Sequence, residues 1–304
     1  MSALVCTVLL LFGAYVHADR PLLAHKTRQH MSATPGKDSS KLAVPKIIHQ
    51  SWKDEHVPER FLKWQESWKR THPEWEYMFW TDADNRQLVE DYYPWFLDTY
   101  DAFPLPIMKA DAVRICYMHL YGGMYADLDY EAIRNMDDLL QGHGVYLADM
   151  YSDLDFQPGD EGVSKLVPNA WMASVPRHPF WLICLQRMIR NTGYLEGYME
   201  AESDMNKNKT ERLVPVAEHI TGPALMTQGL EINERLGGKG VHVIPAKYMY
   251  PFHWLMTDPD SGGSEEYEVC DVRHKRFDDE ACKALFPQAY AITYWTHSWS
   301  TAKR

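Results

Sequence analysis

Residues Lys109 to Asp129 read KADAVRICYMHLYGGMYADLD, and this stretch decides the fold. Ala112, Val113, Cys116 and Leu120 recur at helical spacing and form an apolar face, with Asp111 and Arg114 as i,i+3 neighbours on another face. Gly122-Gly123 ends the helix, because glycine enters the left-handed conformation without a Cβ clash. Met124 to Leu128 then reads as a strand, whose alternation sets Tyr125, Asp127 and Asp129 on one side. Two carboxylates therefore converge at a strand end.

Upstream, Val44 to Trp52 (VPKIIHQSW) is β-branched and reads as the first strand. Pro58 to Arg70 opens with proline and spaces Phe61, Leu62, Trp64 and Trp68 as a helix does. Trp75 to Trp80 is a second strand, and Asp82 to Tyr93 a second helix. Strands alternating with helices imply an α/β fold with a parallel sheet. Ligands of such sheets bind outside the carboxyl ends of the strands. Downstream, Asn169 starts an apolar strand, His178 is a structural residue at the entry to the helix Phe180 to Ile189, and Thr221 caps a helix around Leu225 to Leu236. The last strand is Tyr290 to Trp295.

The 304 residues carry a net charge of −11, which excludes a nucleic-acid partner, since a polyanion calls for basic residues in excess. With 11 Trp, 18 Tyr and 10 Phe the chain has a large core and is not a disordered one. Beyond the first 16 residues no run reaches the roughly 20 apolar residues of a membrane span. Leu4 to Val16 (LVCTVLLLFGAYV), followed by small residues up to Ala18, reads as a secretory signal or a short signal-anchor. The domain plan is thus 1–18 signal or anchor, 19–43 flexible stem, and 44–304 one globular domain. The sequon at Asn208 and the charged loop holding Cys270 and Cys282, where a bridge can form, agree with a lumenal address. Cys116 and Cys184 lie in apolar helical patterns and read as buried free thiols.

A hard divalent cation takes carboxylate oxygens and keeps positions for water and phosphate, so Asp127-x-Asp129 suits a metal site. The chain also has Asp82-Ala-Asp84, Asp153-Leu-Asp155 and Asp258-Pro-Asp260, which read as solvated loops. A surface acid pair, a phosphohydrolase with an aspartyl nucleophile and a non-catalytic carbohydrate-binding protein are the competing readings of Asp127.

Tyr93 to Asp129 resembles glycosyltransferase family 32, most closely its inositol phosphorylceramide mannosyltransferases. Further similar blocks follow the same order: Pro45 to Trp52 (PKIIHQSW), Trp80 to Asp84 (WTDAD), Asn169 to Phe180 (NAWMASVPRHPF), Thr221-Gly222-Pro223 and His297-Ser298-Trp299. The resemblance implies a GT-A type fold, with a Rossmann-like, mostly parallel sheet and helices on both faces. It also implies a nucleotide-sugar donor (GDP-mannose, or a UDP-hexose), Mn²⁺ or Mg²⁺, and transfer with retention to a glycolipid or glycan hydroxyl. By the same resemblance Asp111, Arg114, Asp127 and Asp129 are catalytic, and Asp127, Asp129 and His297 hold the metal. Trp52, Lys109, Asp111, Arg114, Asp127, Asn169 and Trp299 bind the donor, and Thr221 and Gly222 line the acceptor side. An acidic protein repels an anionic donor, which adds to the need for the cation. The expected setting is the Golgi or ER lumen, with membrane association through the N-terminus. The polar, acidic loop Asp149 to Pro168 is where acceptor choice is expected to sit.

Overall fold

The computed structural model describes residues 43–150, 166–193, 195, 197, 216–257 and 263–296. The signal, the stem, the sequon, His297 and Trp299 lie outside them.

Parallel pairing begins at the first strand. β1 (Ile47–Ser51) leads through α1 (Glu59–Thr71) to β2 (Glu76–Trp80), and α2 (Asp82–Tyr92), α3 (Leu97–Ala102) and α4 (Pro106–Leu120) lead to β3 (Gly123–Ala126). β4 (Tyr130–Ala132) and β5 (Val145–Ala148) precede β6 (Trp171–Ser174) and α5 (Pro179–Thr192). After these come α6 (Pro223–Arg235), β7 (Val241–Ile244), α7 (Ala246–Met249), α8 (Asp279–Leu285) and β8 (Ala291–Thr293). The main sheet has the order β2-β1-β3-β6-β5-β7, and β4 pairs with β8 in a small second sheet. β1 runs parallel to β2 and β3, and β5 to β7, while β6 lies antiparallel between β3 and β5. This is the α/β arrangement with a mostly parallel sheet that the resemblance implied.

Alternation along the strands divides the core. Ile47, Trp80, Tyr125, Met172 and Val145 face α2, α4, α5 and α6; Ile48, Met124, Trp171 and Tyr146 face Trp68 of α1 and the small sheet. Helices thus cover both faces. α4 is buried nearly all round, including Asp111 and Arg114, so the polar face expected of it is an interior one. The strand after it starts at once because Gly122 and Gly123 hold φ of 66° and 85°. A Cβ at Gly123 would stand 2.6 Å from the Ile47 carbonyl oxygen, so β1 and β3 can pair this closely only with glycine there.

Three local expectations are met. His178 caps α5 by accepting from the Phe180 amide, Cys270 and Cys282 form a disulfide, and Cys116 and Cys184 are buried free thiols. One differs. The N-cap of α6 is Gly222, and Thr221 sits in the turn before it with a buried side chain turned to Asp111.

Candidate functional site

A cavity of about 530 Å³ opens where β2, β1 and β3 end, with Trp52, Asp82, Asp111, Arg114, Asp127 and Asp129 among the residues in its wall. These three strands are parallel, so their carboxyl ends deliver side chains to one crevice.

The peptide of Asp127 is fixed first. Its amide donates to the Ala170 carbonyl at 2.9 Å, and its carbonyl accepts from Gln50 Nε2 at 3.1 Å. The Tyr125 hydroxyl donates to Asp127 Oδ1 at 2.7 Å, as same-side alternation along the strand allows. Arg114 Nη1 lies 3.2 Å from the same oxygen, and Arg114 Nη2 lies 3.3 Å from Asp111 Oδ1. One guanidinium therefore bridges two carboxylates, with its plane 4.6 Å over the Tyr125 ring. It also donates to the Ala110 and Asn169 carbonyls, which leaves little of its fork for a phosphate.

Asp111 is held from two further sides. Asn169 Nδ2 donates to Oδ1 at 3.0 Å and Thr221 Oγ1 to Oδ2 at 2.9 Å. Asn169 and Gly222 line the cavity, whereas Thr221 reaches it only through Asp111. Lys109 is not in the cavity wall: its ammonium stands 5.8 Å over the Tyr100 ring. Two residues along a helix turn a side chain by roughly 200°, so Lys109 and Asp111 face opposite ways.

The C-terminal segment holds the second acid of the pair. Thr296 donates to Asp129 Oδ2 through both its amide and its hydroxyl, each at 2.9 Å, and the Tyr294 amide donates to the Asp129 carbonyl at 3.1 Å. Thr296 follows the last strand, where no periodic pattern marks it, and sequence reasoning missed it. The likeness of Asp82-Ala-Asp84 to the metal motif dissolves differently. Asp84 completes a capping box with Thr81, a signal readable in the sequence, while Asp82 lines the cavity.

Three carboxylates, Asp111 buried and Asp127 and Asp129 half-buried, face one guanidinium here. Burial pushes Asp127 up to about 6 despite Arg114, and it raises Asp111 and Asp129 as well. Asp129 has no ion-pair partner among the described residues. A divalent cation would fit that deficit, with Asp129 and Asp127 the residues that would hold it. Among the described residues no group of three or more His, Cys, Asp and Glu could hold one, so ligand oxygens and water would complete its shell.

The family model described as a glycosyltransferase sugar-binding region containing a DXD motif matches residues 58–146. Inositol phosphoceramide mannosyltransferase 2 of Schizosaccharomyces pombe is 37% identical over 153 residues, 50% of this chain and 41% of its own. Mannosyl phosphorylinositol ceramide synthase SUR1 of Saccharomyces cerevisiae is 38% identical over 145 residues, 48% of this chain and 35% of its own. The chain thus spans about two fifths of the length of these relatives. A solved structure titled PaToxG Glycosyltransferase superposes with a TM-score of 0.44 at 14% identity, covering 81% of this chain and 79% of that one. Asp111, Arg114 and both acids of the Asp-x-Asp thus fall inside residues 58–146, the part of the chain similar to a glycosyltransferase sugar-binding region containing a DXD motif.

Proposed function

We propose that this chain is a metal-dependent hexosyltransferase that moves mannose from GDP-mannose to a glycolipid hydroxyl with retention, inositol phosphorylceramide being the first acceptor to test. A UDP-hexose is the alternative donor. The reading rests on one observation: Asp127 and Asp129 stand together, half-buried and short of positive charge, in the wall of a cavity at the carboxyl ends of three parallel strands. The mannosyl names of the two yeast relatives support the choice of sugar and acceptor.

A glycosyl donor leaves behind a nucleoside diphosphate, and a bound divalent cation supplies charge that stabilises this leaving group. The protein's part is positional. Arg114 fixes the Asp127 carboxylate and Thr296 fixes that of Asp129, so both approach the diphosphate in one orientation. Asp111 keeps acceptor capacity on its carboxylate for sugar hydroxyls. The acceptor hydroxyl attacks from the face that the diphosphate leaves, and a diphosphate oxygen takes its proton, so no protein base is assigned. The cavity wall at Pro106, Ile107 and Pro168 is apolar and excludes water from the anomeric carbon.

The bridge between Cys270 and Cys282 supports the oxidising lumen of the secretory pathway as the working compartment. Among the described residues no helix is long and apolar enough to cross a membrane, and membrane contact through residues 1–18 stays part of the proposal.

The experiment is a donor screen with GDP-mannose, UDP-galactose and UDP-glucose, with and without Mn²⁺ and with inositol phosphorylceramide. The expected result is Mn²⁺-dependent release of GDP and a mannosylated lipid with the donor's anomeric configuration. Failure to cleave any donor, together with phosphate release from a monoester, overturns the proposal.

A further inference from the structure

We propose that Glu131 is a positioning residue for the Asp-x-Asp site: it locks the register of β8 against β4, and through that register holds Thr296 on Asp129. The inference rests on the nucleotide-sugar transferase reading for what Asp129 binds, but not for the lock itself.

Glu131 lies two residues beyond Asp129, outside the cavity wall, and is 1% exposed. A carboxylate this deep has to be paired. Lys283 Nζ of α8 stands 2.7 Å from its Oε1, and the Tyr294 hydroxyl donates to its Oε2 at 2.6 Å. Both oxygens are thus taken, each by a residue from the C-terminal part of the chain. Lys283 is itself held in place: its neighbour Cys282 is bridged to Cys270, and Asp279 at the start of α8 pairs with Lys63 of α1.

These contacts decide where β8 sits. β4 is fastened to α1 from its other side, by the Trp68 indole on the Tyr130 carbonyl and the Ala132 amide on the Ser67 hydroxyl, each at 2.8 Å. β8 meets β4 in a ladder of three residues on each strand, with Tyr130 opposite Thr293 and Glu131 opposite Ile292. In that register the Tyr294 amide reaches the Asp129 carbonyl, and Thr296 reaches the Asp129 carboxylate. A slip by two residues keeps every side chain on its own face of the ladder, so alternation alone does not forbid it. It would carry Thr296 about 7 Å along the strand, out of reach of Asp129. Glu131 forbids the slip. Tyr294 sits diagonally across the ladder from it, and any other register leaves the buried carboxylate short of a donor.

The test uses the full chain and three variants. Tyr294→Phe removes a hydroxyl and no charge, keeping the ring against Trp64 and Phe277. Lys283→Met removes the cation, and Lys283→Arg restores it. Two readouts are taken on protein shown to be folded by thermal unfolding. One is hydrogen exchange of the Thr296 amide; the other is Mn²⁺ uptake with GDP and with UDP, followed by electron paramagnetic resonance. In Tyr294→Phe and Lys283→Met, exchange is expected to be about tenfold faster and Mn²⁺ to be held about tenfold more weakly, with Lys283→Arg close to the wild type. Lys283→Met separates position from charge. Loss of a nearby positive charge by itself strengthens the hold of two aspartates on a cation, so a weaker hold marks a displaced Asp129. Either readout unchanged in Tyr294→Phe overturns the proposal, and so does tighter Mn²⁺ binding in Lys283→Met, whatever happens to the unfolding temperature. If Lys283→Met fails to fold, Tyr294→Phe decides alone. A wild type that takes up no Mn²⁺ with either nucleotide refutes the transferase reading instead, and the exchange of Thr296 then decides the register lock by itself.

Discussion

Asp129→Asn is expected to lower turnover by about a thousandfold or more while the protein stays folded. The side chains have the same shape, and the Asn carbonyl can still accept from the Thr296 amide and hydroxyl, so the C-terminal segment keeps its anchor. The change falls on the other side of the group. An amide nitrogen turns its hydrogens to the cavity where a carboxylate oxygen stood, and a cation is repelled from a site short of positive charge. Burial already works against the charged form of Asp129, so removing the charge costs the fold little. GDP release at saturating donor measures the first effect and thermal unfolding the second. Wild-type turnover in this variant would show that the wrong acids were chosen.

Arg114→Met is expected to destabilise the protein by about 3 kcal/mol, the lower end of the range for breaking a buried ion pair, and to abolish activity. The guanidinium, itself buried, bridges the buried Asp111 and the half-buried Asp127, and its loss leaves two carboxylates without their cation. The cost stays at the low end because Asp127, already raised to about 6, takes up a proton instead of remaining charged at neutral pH. Urea midpoints report the stability. Arg114→Lys restores the charge without the fork, so it should recover part of the stability and almost none of the turnover. A Met variant as stable as the wild type would mean that the bridge contributes nothing to holding α4 against the end of β3.

Much of this architecture was legible in the sequence, and the reasons are local. β1, α1, β2, α2 and β3 fall within a few residues of their expected bounds, because apolar spacing, Pro58 and the Gly122-Gly123 turn are signals within one element. β5 and β7 carried no such mark. Each has four residues, and they become strands by pairing with each other across almost a hundred positions. Asp111 and Arg114 show the same limit at the site. Their i,i+3 spacing reads as an ordinary surface pair, and only the covering of α4 by β3, β6 and α5 makes it a buried bridge. Lys109 fell into the site by nearness to a motif, and helical rotation took it out again. Thr296 acts through long-range hydrogen bonds to Asp129 that have no sequence pattern at all.

The central claim is that Asp127 and Asp129 hold a divalent cation together with the diphosphate of the donor. Titrating Mn²⁺ into the protein in the presence and absence of GDP, and following the free ion by electron paramagnetic resonance, tests it most directly. The expected result is a Mn²⁺ ion taken up by each chain when GDP is present, much weaker uptake without GDP, and loss of both in Asp129→Asn. Mn²⁺ and GDP binding that is unchanged in the variant, or GDP binding that is as tight without the metal, would contradict it.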